Sequence, residues 1–488
     1  MAEALQGTVT LLADVERRHR AGLAAMRAGD PAAAAGHFRV AAAAAPEVAA
    51  YHANLGSALQ AAGRHEAALA AFDRAIVLAP DHPAIHHNRG NALLALRRPL
   101  EAAAAQERAA ALAPRTARFH YARALALDRA DLLDEAAACY RAALAVDPDH
   151  GPARAGLALL RLAAGDRAAA LTLWREQAAR ERGIDAGRPY PAGHRLANRG
   201  KLRHDVEQLR WLIASGERPD LGPTLAAYEA ALAAMPDGAD LRRPVALPDA
   251  VLAALGGSYG RTLHLLDAPG MPASPLAERD WNAVETAYAA DAPGIVAVDD
   301  LLTPPALAAL RRFCLGSTIF HHAKHGGYVG AYLPEVACGL LAQIADALPR
   351  RMPSVFGRHR LRQMWIYKYD SRMEGIGTHA DAAAVNVNFW LTPDEANLSP
   401  GSGGLVVHRC EAPLDWSFRR FNEDEAAIAD HLARHGAGTV TVPYRCNRAV
   451  IFHSDLFHAT DRFVFRDRYE DRRLNVTMLY GDRADGAA

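Results

Sequence analysis

Two consecutive stretches of 34 residues, AAYHANLGSALQAAGRHEAALAAFDRAIVLAPDH (49–82) and PAIHHNRGNALLALRRPLEAAAAQERAAALAPRT (83–116), decide the fold of the amino-terminal part of this chain. Prolines recur at the same interval, at Pro46, Pro80, Pro114 and Pro148. A fixed period of this length indicates an array in which each repeat is one supersecondary unit. The pattern predicts about five such units over residues 15–183.

Other residue types follow the same period. Large side chains recur at Phe38, Phe72, Tyr140 and Trp174, with Gln106 as the exception. Small residues recur at Gly22, Gly56 and Gly90, and at Gly29, Gly63 and Gly165. A small residue lets two helices approach, and a large side chain fills the interior of the helical hairpin. One hairpin cannot bury its apolar face alone, so stacked hairpins should form an all-α solenoid.

The period resembles that of tetratricopeptide repeats. The resemblance implies a concave surface that binds a peptide or a partner protein. Asn54 and Asn88 lie one period apart on the first helix of their units, and amides at that point in related arrays clamp a peptide backbone. The alternative is that both amides face solvent, and Ala122 at the third equivalent position breaks the ladder. Three histidines of the array are expected to be solvated rather than metal ligands: His86, His87 and His120.

Composition excludes several classes of function. The chain carries 55 basic and 55 acidic side chains, which argues against a general affinity for nucleic acid or for an anionic membrane. Its five cysteines contain no Cys-x-x-Cys pair, so no structural zinc site or redox pair is indicated. Residues 1–15 lack the pattern of a secretory signal, and no apolar run is long enough to cross a bilayer. A cytoplasmic protein is expected.

Residues 184–293 are predicted to be a helical connecting region. Leu202–Ser215 and Leu225–Met235 have the apolar spacing of amphipathic helices. We find no chemically distinctive motif in this region.

From residue 294 to residue 484 the pattern changes to short apolar runs separated by turns. The predicted strands are Gly294–Val298, Leu361–Tyr369, Ala384–Leu391, Leu405–Val407, Thr439–Val442, Ala449–Phe452 and Leu474–Tyr480. So many short strands favour a closed or double-sheet β architecture. Pro304–Leu315 and Leu340–Leu348 are predicted helices that cover one sheet face, and residues 411–438 are predicted to be an insertion, a loop and a helix, that forms a wall or lid.

A candidate metal site lies in this last region. His379 and Asp381 are two residues apart, and alternate residues of a strand point to the same face. His458 follows an apolar strand and supplies a third ligand. Two imidazoles and one carboxylate can hold a ferrous ion and leave coordination positions open. His453 is an alternative to His458, with a role beside the site or towards the substrate if it is not a ligand.

The order of His379-x-Asp381, a distal His458 and Arg473 resembles that of the 2-oxoglutarate- and iron(II)-dependent oxygenases. The resemblance covers roughly residues 294–484 and implies a double-stranded β-helix, or jelly roll, in which His458 occupies the ligand position. Residues 388–405 also resemble bacterial members that carry tetratricopeptide repeats. The resemblance to the oxygenases further implies Fe(II) as cofactor, 2-oxoglutarate as cosubstrate, and hydroxylation of a peptide or protein side chain or of a small molecule.

Three further residues are assigned to cosubstrate binding. Polar and apolar residues alternate from Arg473 onwards, so Arg473 and Asn475 should share the face that lines the cavity, with Arg472 on the other. A guanidinium there can pair with the distal carboxylate of 2-oxoglutarate. Tyr369 resembles a tyrosine that some prolyl hydroxylases use on the near carboxylate, and is otherwise a packed strand aromatic.

Two other functions remain open on the sequence. In one, the barrel is inactive and the repeats serve as a scaffold or adaptor, which an intact set of ligands argues against. In the other, the barrel is a cupin-like metalloenzyme that does not use 2-oxoglutarate. The presence of Arg473 favours the 2-oxoglutarate-dependent oxygenase over this alternative, because enzymes that do not use 2-oxoglutarate need no residue to anchor its carboxylate.

Overall fold

The computed structural model describes residues 2–183, 192–235, 243–373 and 375–483. The chain divides into two compact units, Met1–Leu160 and Arg161–Ala488. This division lies inside the predicted repeat array. Residues 184–191 and 236–242 of the predicted connecting region, and residues 374 and 484 of the predicted β region, lie outside the described residues.

The first unit consists of antiparallel helical hairpins, as the 34-residue period predicts. Its helices are α1 (Ala2–Arg27), α2 (Pro31–Ala44), α3 (Ala49–Ala61), α4 (His65–Leu78), α5 (Pro83–Ala95), α6 (Pro99–Leu112), α7 (Ala117–Arg129), α8 (Leu133–Val146) and the start of α9 (Gly151–Ala163). Each periodic proline from Pro46 to Pro148 follows the second helix of a hairpin.

The periodic glycines and aromatics meet inside the hairpins. A Cβ added at Gly22 would lie 2.6 Å from the ring of Phe38, and one at Gly56 would lie 2.6 Å from the ring of Phe72. In the third hairpin Gln106 occupies the place of the aromatic ring and is fully buried. Its amide donates to the carbonyl of His87 at 3.0 Å, so hydrogen bonds satisfy the polar group that replaces the ring.

The three array histidines, which were expected to be solvated rather than metal ligands, each have a hydrogen-bond partner in the array. The ring nitrogen Nε2 of His86 lies 2.7 Å from the carbonyl oxygen of Pro80, and that of His120 lies 2.8 Å from the carbonyl oxygen of Pro114. His87 bonds Gln106 at 2.8 Å. The first two thus tie each hairpin to the proline that ends the preceding one.

The two array asparagines also have protein partners. The amide of Asn54 lies 2.8 Å from Nε2 of His19, and that of Asn88 donates to the hydroxyl of Ser57 at 3.5 Å. Each contact links the first helix of one hairpin to the first helix of its neighbour. Both amides therefore have partners within the array, and both side chains are half-buried.

The second unit begins with helices and one small sheet. They are α10 (Arg167–Arg182), β1 (Leu196–Ala197), α11 (Arg199–Ala214), α12 (Gly222–Ala233), β2 (Val245–Ala246), α13 (Asp249–Ala254) and α14 (Trp281–Ala290). Both helices predicted here are present as α11 and α12. The short antiparallel pair of β1 with β2 was not predicted.

The remaining elements form the β region and its covering helices. They are β3 (Ile295–Val298), α15 (Pro304–Gly316), β4 (His322–Ala323), β5 (Val329–Tyr332), α16 (Gly339–Arg351), α17 (Pro353–Phe356), β6 (Leu361–Lys368), β7 (Arg372–Met373), β8 (Ile376–His379), β9 (Val385–Trp390), β10 (Leu405–Glu411), α18 (Phe418–Asn422), α19 (Glu425–His435), β11 (Thr439–Val442), β12 (Ala449–His453), β13 (Leu456–Thr460), β14 (Phe463–Val464) and β15 (Leu474–Tyr480).

Two antiparallel sheets face each other. The larger has seven strands in the order β3-β12-β9-β15-β6-β5-β4, and the smaller has four in the order β11-β10-β13-β8. Trp390 and Phe452 of the larger sheet share one buried cluster with Val407 and Leu456 of the smaller. On the opposite face of the larger sheet, the hydroxyl of Tyr480 donates to the carbonyl of Ala345 in α16 at 3.0 Å, so a helix covers that face as predicted.

Candidate metal centre

His379 and His458 lie directly opposite each other on neighbouring strands. His379 ends β8, His458 lies in β13, and the two residues are partners in the antiparallel register. Their ring centroids are 4.5 Å apart. Ligand atoms of His379, Asp381 and His458 all lie within 4.8 Å of one another. The three predicted ligand residues, which are far apart along the chain, are thus brought together.

Asp381 reaches this cluster by a different route from the predicted one. Strand β8 ends at His379, so the two residues do not share a face of one strand. The backbone N–H of Ala380 instead donates to the carbonyl of Phe421 at 3.0 Å, and that of Asp381 donates to the carbonyl of Ser454 at 3.3 Å. A turn held by the insertion and by the β12–β13 connection therefore presents the carboxylate.

Both imidazoles are oriented by backbone carbonyls. Nδ1 of His379 lies 2.8 Å from the carbonyl oxygen of Gly377, and Nδ1 of His458 lies 3.1 Å from that of Leu456. A carbonyl accepts only, so Nδ1 carries the proton in each ring. The lone pair of Nε2 is then left for a metal ion, as is usual for ligand histidines.

The carboxylate of Asp381 is buried beside these rings. The amide of Asn386 donates to its Oδ2 at 2.7 Å, and Nε2 of His458 lies 3.5 Å from the same oxygen. Burial favours the neutral acid, but the polar groups around the carboxylate, among them the amide of Asn386, outweigh it and hold the pKa of Asp381 below its usual value. The group therefore stays anionic, which is the form that binds a metal.

His453 lies outside the cluster. Its Nδ1 is 3.3 Å from the carboxylate of Glu411, and its backbone N–H donates to the carbonyl of Gly294 at 2.8 Å. Of the two histidines that the sequence leaves open, His458 is the one that joins His379 and Asp381.

Arg473 is almost completely buried, with 1% of its surface exposed. Its Nε donates to the carbonyl of Gly403 at 2.9 Å, and its guanidinium carbon lies 4.7 Å from the ring centre of Tyr369 and 5.3 Å from that of Phe463. Nη1 has no hydrogen-bond partner among the described residues. Burial lowers the pKa of this guanidinium.

The neighbouring Arg472 points the other way, as the alternation predicts. Its Nε donates to the carboxylate of Glu207 in α11 at 2.7 Å. Arg472 therefore belongs to the helix-covered side of the larger sheet, and Arg473 to the side that faces the smaller sheet.

Tyr369 lies beside Arg473 and not at a separate place. The guanidinium carbon of Arg473 is 4.7 Å from its ring centre. Burial raises the pKa of its hydroxyl, and the neighbouring Arg473 and Thr460 partly oppose that shift. The sequence assigned Arg473 and Tyr369 to opposite ends of the cosubstrate. In the structure the two side chains are in contact.

Asn475 also differs from its predicted role. Its amide nitrogen donates to Asn388 and to Thr477, both at 3.0 Å. These donors are occupied by protein acceptors, so Asn475 has no amide hydrogen left for a cosubstrate. The hydrogen bond from Asn386 to Asp381 was not predicted from the sequence. The spacing of Asn386 and Asn388, two positions apart on one strand, does indicate that the two side chains share a face.

The insertion packs behind the turn that carries Asp381. Phe421 of α18 and Ile428 of α19 share a buried cluster with Ala380 and Phe457. The amide of Asn422 donates to the carbonyl of Ala380 at 3.0 Å. The predicted loop and helix are therefore present, and they form a wall against the backbone between His379 and Asp381.

Comparison with known protein families matches the tetratricopeptide repeat family to residues 19–83 and 87–151. This match supports a helical repeat array of the class that serves as a protein-interaction scaffold. No curated protein matches the sequence significantly. Among the described residues, no helix combines the length and apolar character that a bilayer crossing requires.

Several solved repeat proteins are similar to part of the chain. MamA from Desulfovibrio magneticus RS-1 is 22% identical with a TM-score of 0.33, and the match covers 34% of this chain and 93% of MamA. YrrB, described as a tetratricopeptide repeat protein with an unusual peptide-binding site, is 18% identical with a TM-score of 0.30, over 33% and 82% of the two chains. A tetratricopeptide repeat protein of Thermus thermophilus is 23% identical with a TM-score of 0.29, over 33% and 89%.

Proposed function

We propose that the second unit is an Fe(II)- and 2-oxoglutarate-dependent oxygenase with a double-stranded β-helix fold. In this proposal it hydroxylates a carbon atom of a peptide or protein side chain or of a small molecule. The observation that carries the proposal is the convergence of His379, Asp381 and His458 to within 4.8 Å.

The residues of the cluster fit ferrous iron. Two imidazoles and one carboxylate with room for further ligands are the donor set of non-haem iron oxygenases. Both imidazoles keep Nε2 available, because Nδ1 is used by a backbone carbonyl. When bound, iron and 2-oxoglutarate supply the oxidation, in which one oxygen atom of dioxygen enters succinate, the other enters the substrate, and carbon dioxide is released.

Arg473 supports 2-oxoglutarate as the cosubstrate. A buried cation is strongly unfavourable unless an anion or hydrogen-bond acceptors compensate it. Here one guanidinium nitrogen, Nη1, is unpaired among the described residues, and so is the indole Nε1 of Trp390, whose ring centre is 5.6 Å from the guanidinium carbon. The distal carboxylate of 2-oxoglutarate supplies the missing acceptor, which a cupin-like enzyme without this cosubstrate would not require.

The proposed fold is supported by how the two sheets share the site. His379 and His458 come from the smaller sheet, whereas Arg473 immediately precedes β15 of the larger sheet. Thr460, two residues after His458 on β13, affects the pKa of the Tyr369 hydroxyl as a near neighbour, and the ring of Tyr369 contacts the guanidinium of Arg473. The ligand cluster and the guanidinium thus lie along one continuous inner surface.

The repeat array is proposed to recruit the substrate or a partner protein on its concave face, with Asn54 and Asn88 contributing. The family match to residues 19–83 and 87–151 supports a protein-interaction role for this part of the chain. The same observation favours a second candidate, a repeat scaffold or adaptor whose barrel is inactive. Iron binding by the second unit discriminates between the two.

The test is anaerobic titration of the purified protein with Fe(II) and 2-oxoglutarate. We expect a weak visible absorption band from metal-to-cosubstrate charge transfer, and we expect His379→Ala and Asp381→Ala to abolish it. His453→Ala is the matched control, because it removes a buried histidine outside the cluster and should keep the band. No band with the wild-type protein would favour the scaffold.

The substrate is then sought by measuring succinate release in the presence of cell lysate. Proteins and metabolites that gain the mass of one oxygen atom are identified by mass spectrometry. A product that depends on 2-oxoglutarate and disappears with His379→Ala would identify the substrate class.

A further inference from the structure

Four buried side chains form a hydrogen-bonded chain that ends at Asp381. The hydroxyl of Thr477 and the amide of Asn475 both donate to Oδ1 of Asn388, at 2.7 and 3.0 Å. The amide of Asn388 donates to Oδ1 of Asn386 at 2.7 Å. The amide of Asn386 donates to Oδ2 of Asp381 at 2.7 Å.

The hydrogen bonds that lead to the carboxylate all have the same polarity. Thr477 and Asn475 donate to Asn388, Asn388 donates to Asn386, and Asn386 donates to Asp381. The amides of Asn388 and Asn386 each donate while their own carbonyl accepts, so these bonds strengthen one another. The last bond, from Asn386 to the carboxylate of Asp381, is the strongest in the chain, because its acceptor is charged.

Strand pairing holds these side chains in place. Asn388 and Thr477 are direct partners in the antiparallel register of β9 and β15, and Asn386 is the partner of Leu479. Asn386 and Asn388 are two positions apart on β9, so they share a face. All four are at most 6% exposed. The chain is thus built into the centre of the larger sheet, whereas Asp381 lies in a turn outside both sheets.

We propose that Asn386, Asn388, Asn475 and Thr477 are positioning residues that hold the carboxylate of Asp381 in the orientation required to bind the metal with His379 and His458. The inference rests on the proposed metal centre. A carboxylate in a turn can rotate about its side-chain bonds, and the chain of amides restricts that rotation by linking it to a rigid sheet.

Some residues hydrogen-bond a metal ligand without touching the metal. Removal of such a residue commonly lowers metal affinity by about 10- to 100-fold. We expect Asn386→Ala to lower Co(II) affinity within this range. Thr477→Val, which keeps the shape but removes the hydroxyl at the far end of the chain, should lower it by a smaller factor of about three to ten. Thr477→Ser keeps the hydroxyl and should restore wild-type affinity.

The experiment is titration of the metal-free full-length protein with Co(II), followed by its visible absorption, with thermal unfolding of each variant as a check on folding. Thr392→Val is the matched control. Thr392 is also fully buried, and its hydroxyl donates to the carbonyl of Arg472 at 2.7 Å. It takes no part in the chain to Asp381, so its loss should reduce stability without reducing Co(II) affinity.

The outcomes separate this inference from the proposed function. Wild-type binding of Co(II) with weaker binding by Thr477→Val, but not by Thr477→Ser or Thr392→Val, supports the positioning role. If the wild type binds Co(II), and folded Thr477→Val and Asn386→Ala bind it with equal affinity to the wild type, the positioning role is overturned and the metal centre is left intact. Absence of Co(II) binding by the wild type would overturn the metal centre and the inference with it.

Discussion

At the scale of single residues, Arg473 is the most informative side chain of the second unit. Its guanidinium is enclosed by aromatic rings and bonded at Nε to the carbonyl of Gly403, while Nη1 has no acceptor among the described residues. Aromatic faces attract a cation, but they do not replace hydrogen-bond acceptors. In the proposed function the distal carboxylate of 2-oxoglutarate supplies the acceptor that Nη1 lacks.

Arg473→Ala should weaken 2-oxoglutarate binding by at least about thirtyfold, equivalent to about 2 kcal/mol, because a buried charged hydrogen bond is lost. Fe(II) binding should be retained. The measurement is the 2-oxoglutarate concentration at half of the maximal absorption band. Arg472→Ala is the control, since it loses its bond to Glu207 on the opposite face and should leave this concentration unchanged. Equal cosubstrate affinity of the Arg473 variant and the wild type would remove Arg473 from its assigned role.

At the scale of elements, the turns inside the helical hairpins show why one periodic position favours glycine. Gly29, Gly63 and Gly165 have φ between +74° and +79°. The equivalent positions of the two intervening hairpins are Arg97 and Asp131, with φ of 58° and 62°. A side chain in this left-handed region costs roughly 1 to 2 kcal/mol. The sequence period therefore reflects backbone conformation at this position.

We predict opposite effects on stability for two substitutions at this position. Gly63→Ala should lower the free energy of unfolding by about 1 kcal/mol, because alanine resists a positive φ. Arg97→Gly should raise it, by up to about 1 kcal/mol, because strain is relieved in part at the expense of a more flexible unfolded chain. The measurement is denaturant unfolding followed by far-ultraviolet circular dichroism. A loss of stability with Arg97→Gly would contradict this account of the turn.

In the β region, the turn that carries Asp381 depends on contacts with distant segments of the chain. Asp381 was expected on a strand with His379, yet the strand ends at His379. The turn is held instead by bonds from Ala380 and Asp381 to Phe421 and Ser454. Both partners are distant in sequence, so no local pattern could reveal them.

At the scale of the whole molecule, metal binding should stabilise the two units unequally. A ligand present at about 100 times its dissociation constant stabilises the folded state that binds it by about 2.7 kcal/mol. The proposed centre lies in the second unit only, so removal of metal with a chelator should lower the unfolding temperature of that unit. Near-ultraviolet signals report on it, because all six tryptophans of the chain, including Trp365 and Trp390, lie in the second unit, whereas the far-ultraviolet helical signal comes from both units.

His379→Ala is the control for this measurement, because its unfolding temperature should not respond to metal or chelator. An equal metal response of the wild type and this variant would mean that the ion binds elsewhere. A metal response confined to the helical signal would contradict a centre in the second unit.

The sequence by itself determined the features that depend on period and alternation. The 34-residue repeat predicts the hairpins, because identical units must bury identical faces against their neighbours. The alternation from Arg472 to Thr477 predicts which arginine lies between the sheets, because successive residues of a strand face opposite sides. The identity of His379, Asp381 and His458 as candidate ligands also came from residue types and order.

Only the tertiary structure decided how the site is assembled. It separated His458 from His453, joined Tyr369 to Arg473, and linked Asp381 to Thr477 through two asparagines. These relations connect residues that are far apart along the chain, and each depends on strand register and on the path of a turn. Hydrogen bonds between distant segments leave no periodic trace in a single sequence, which is why they were visible only once the sheets were in place.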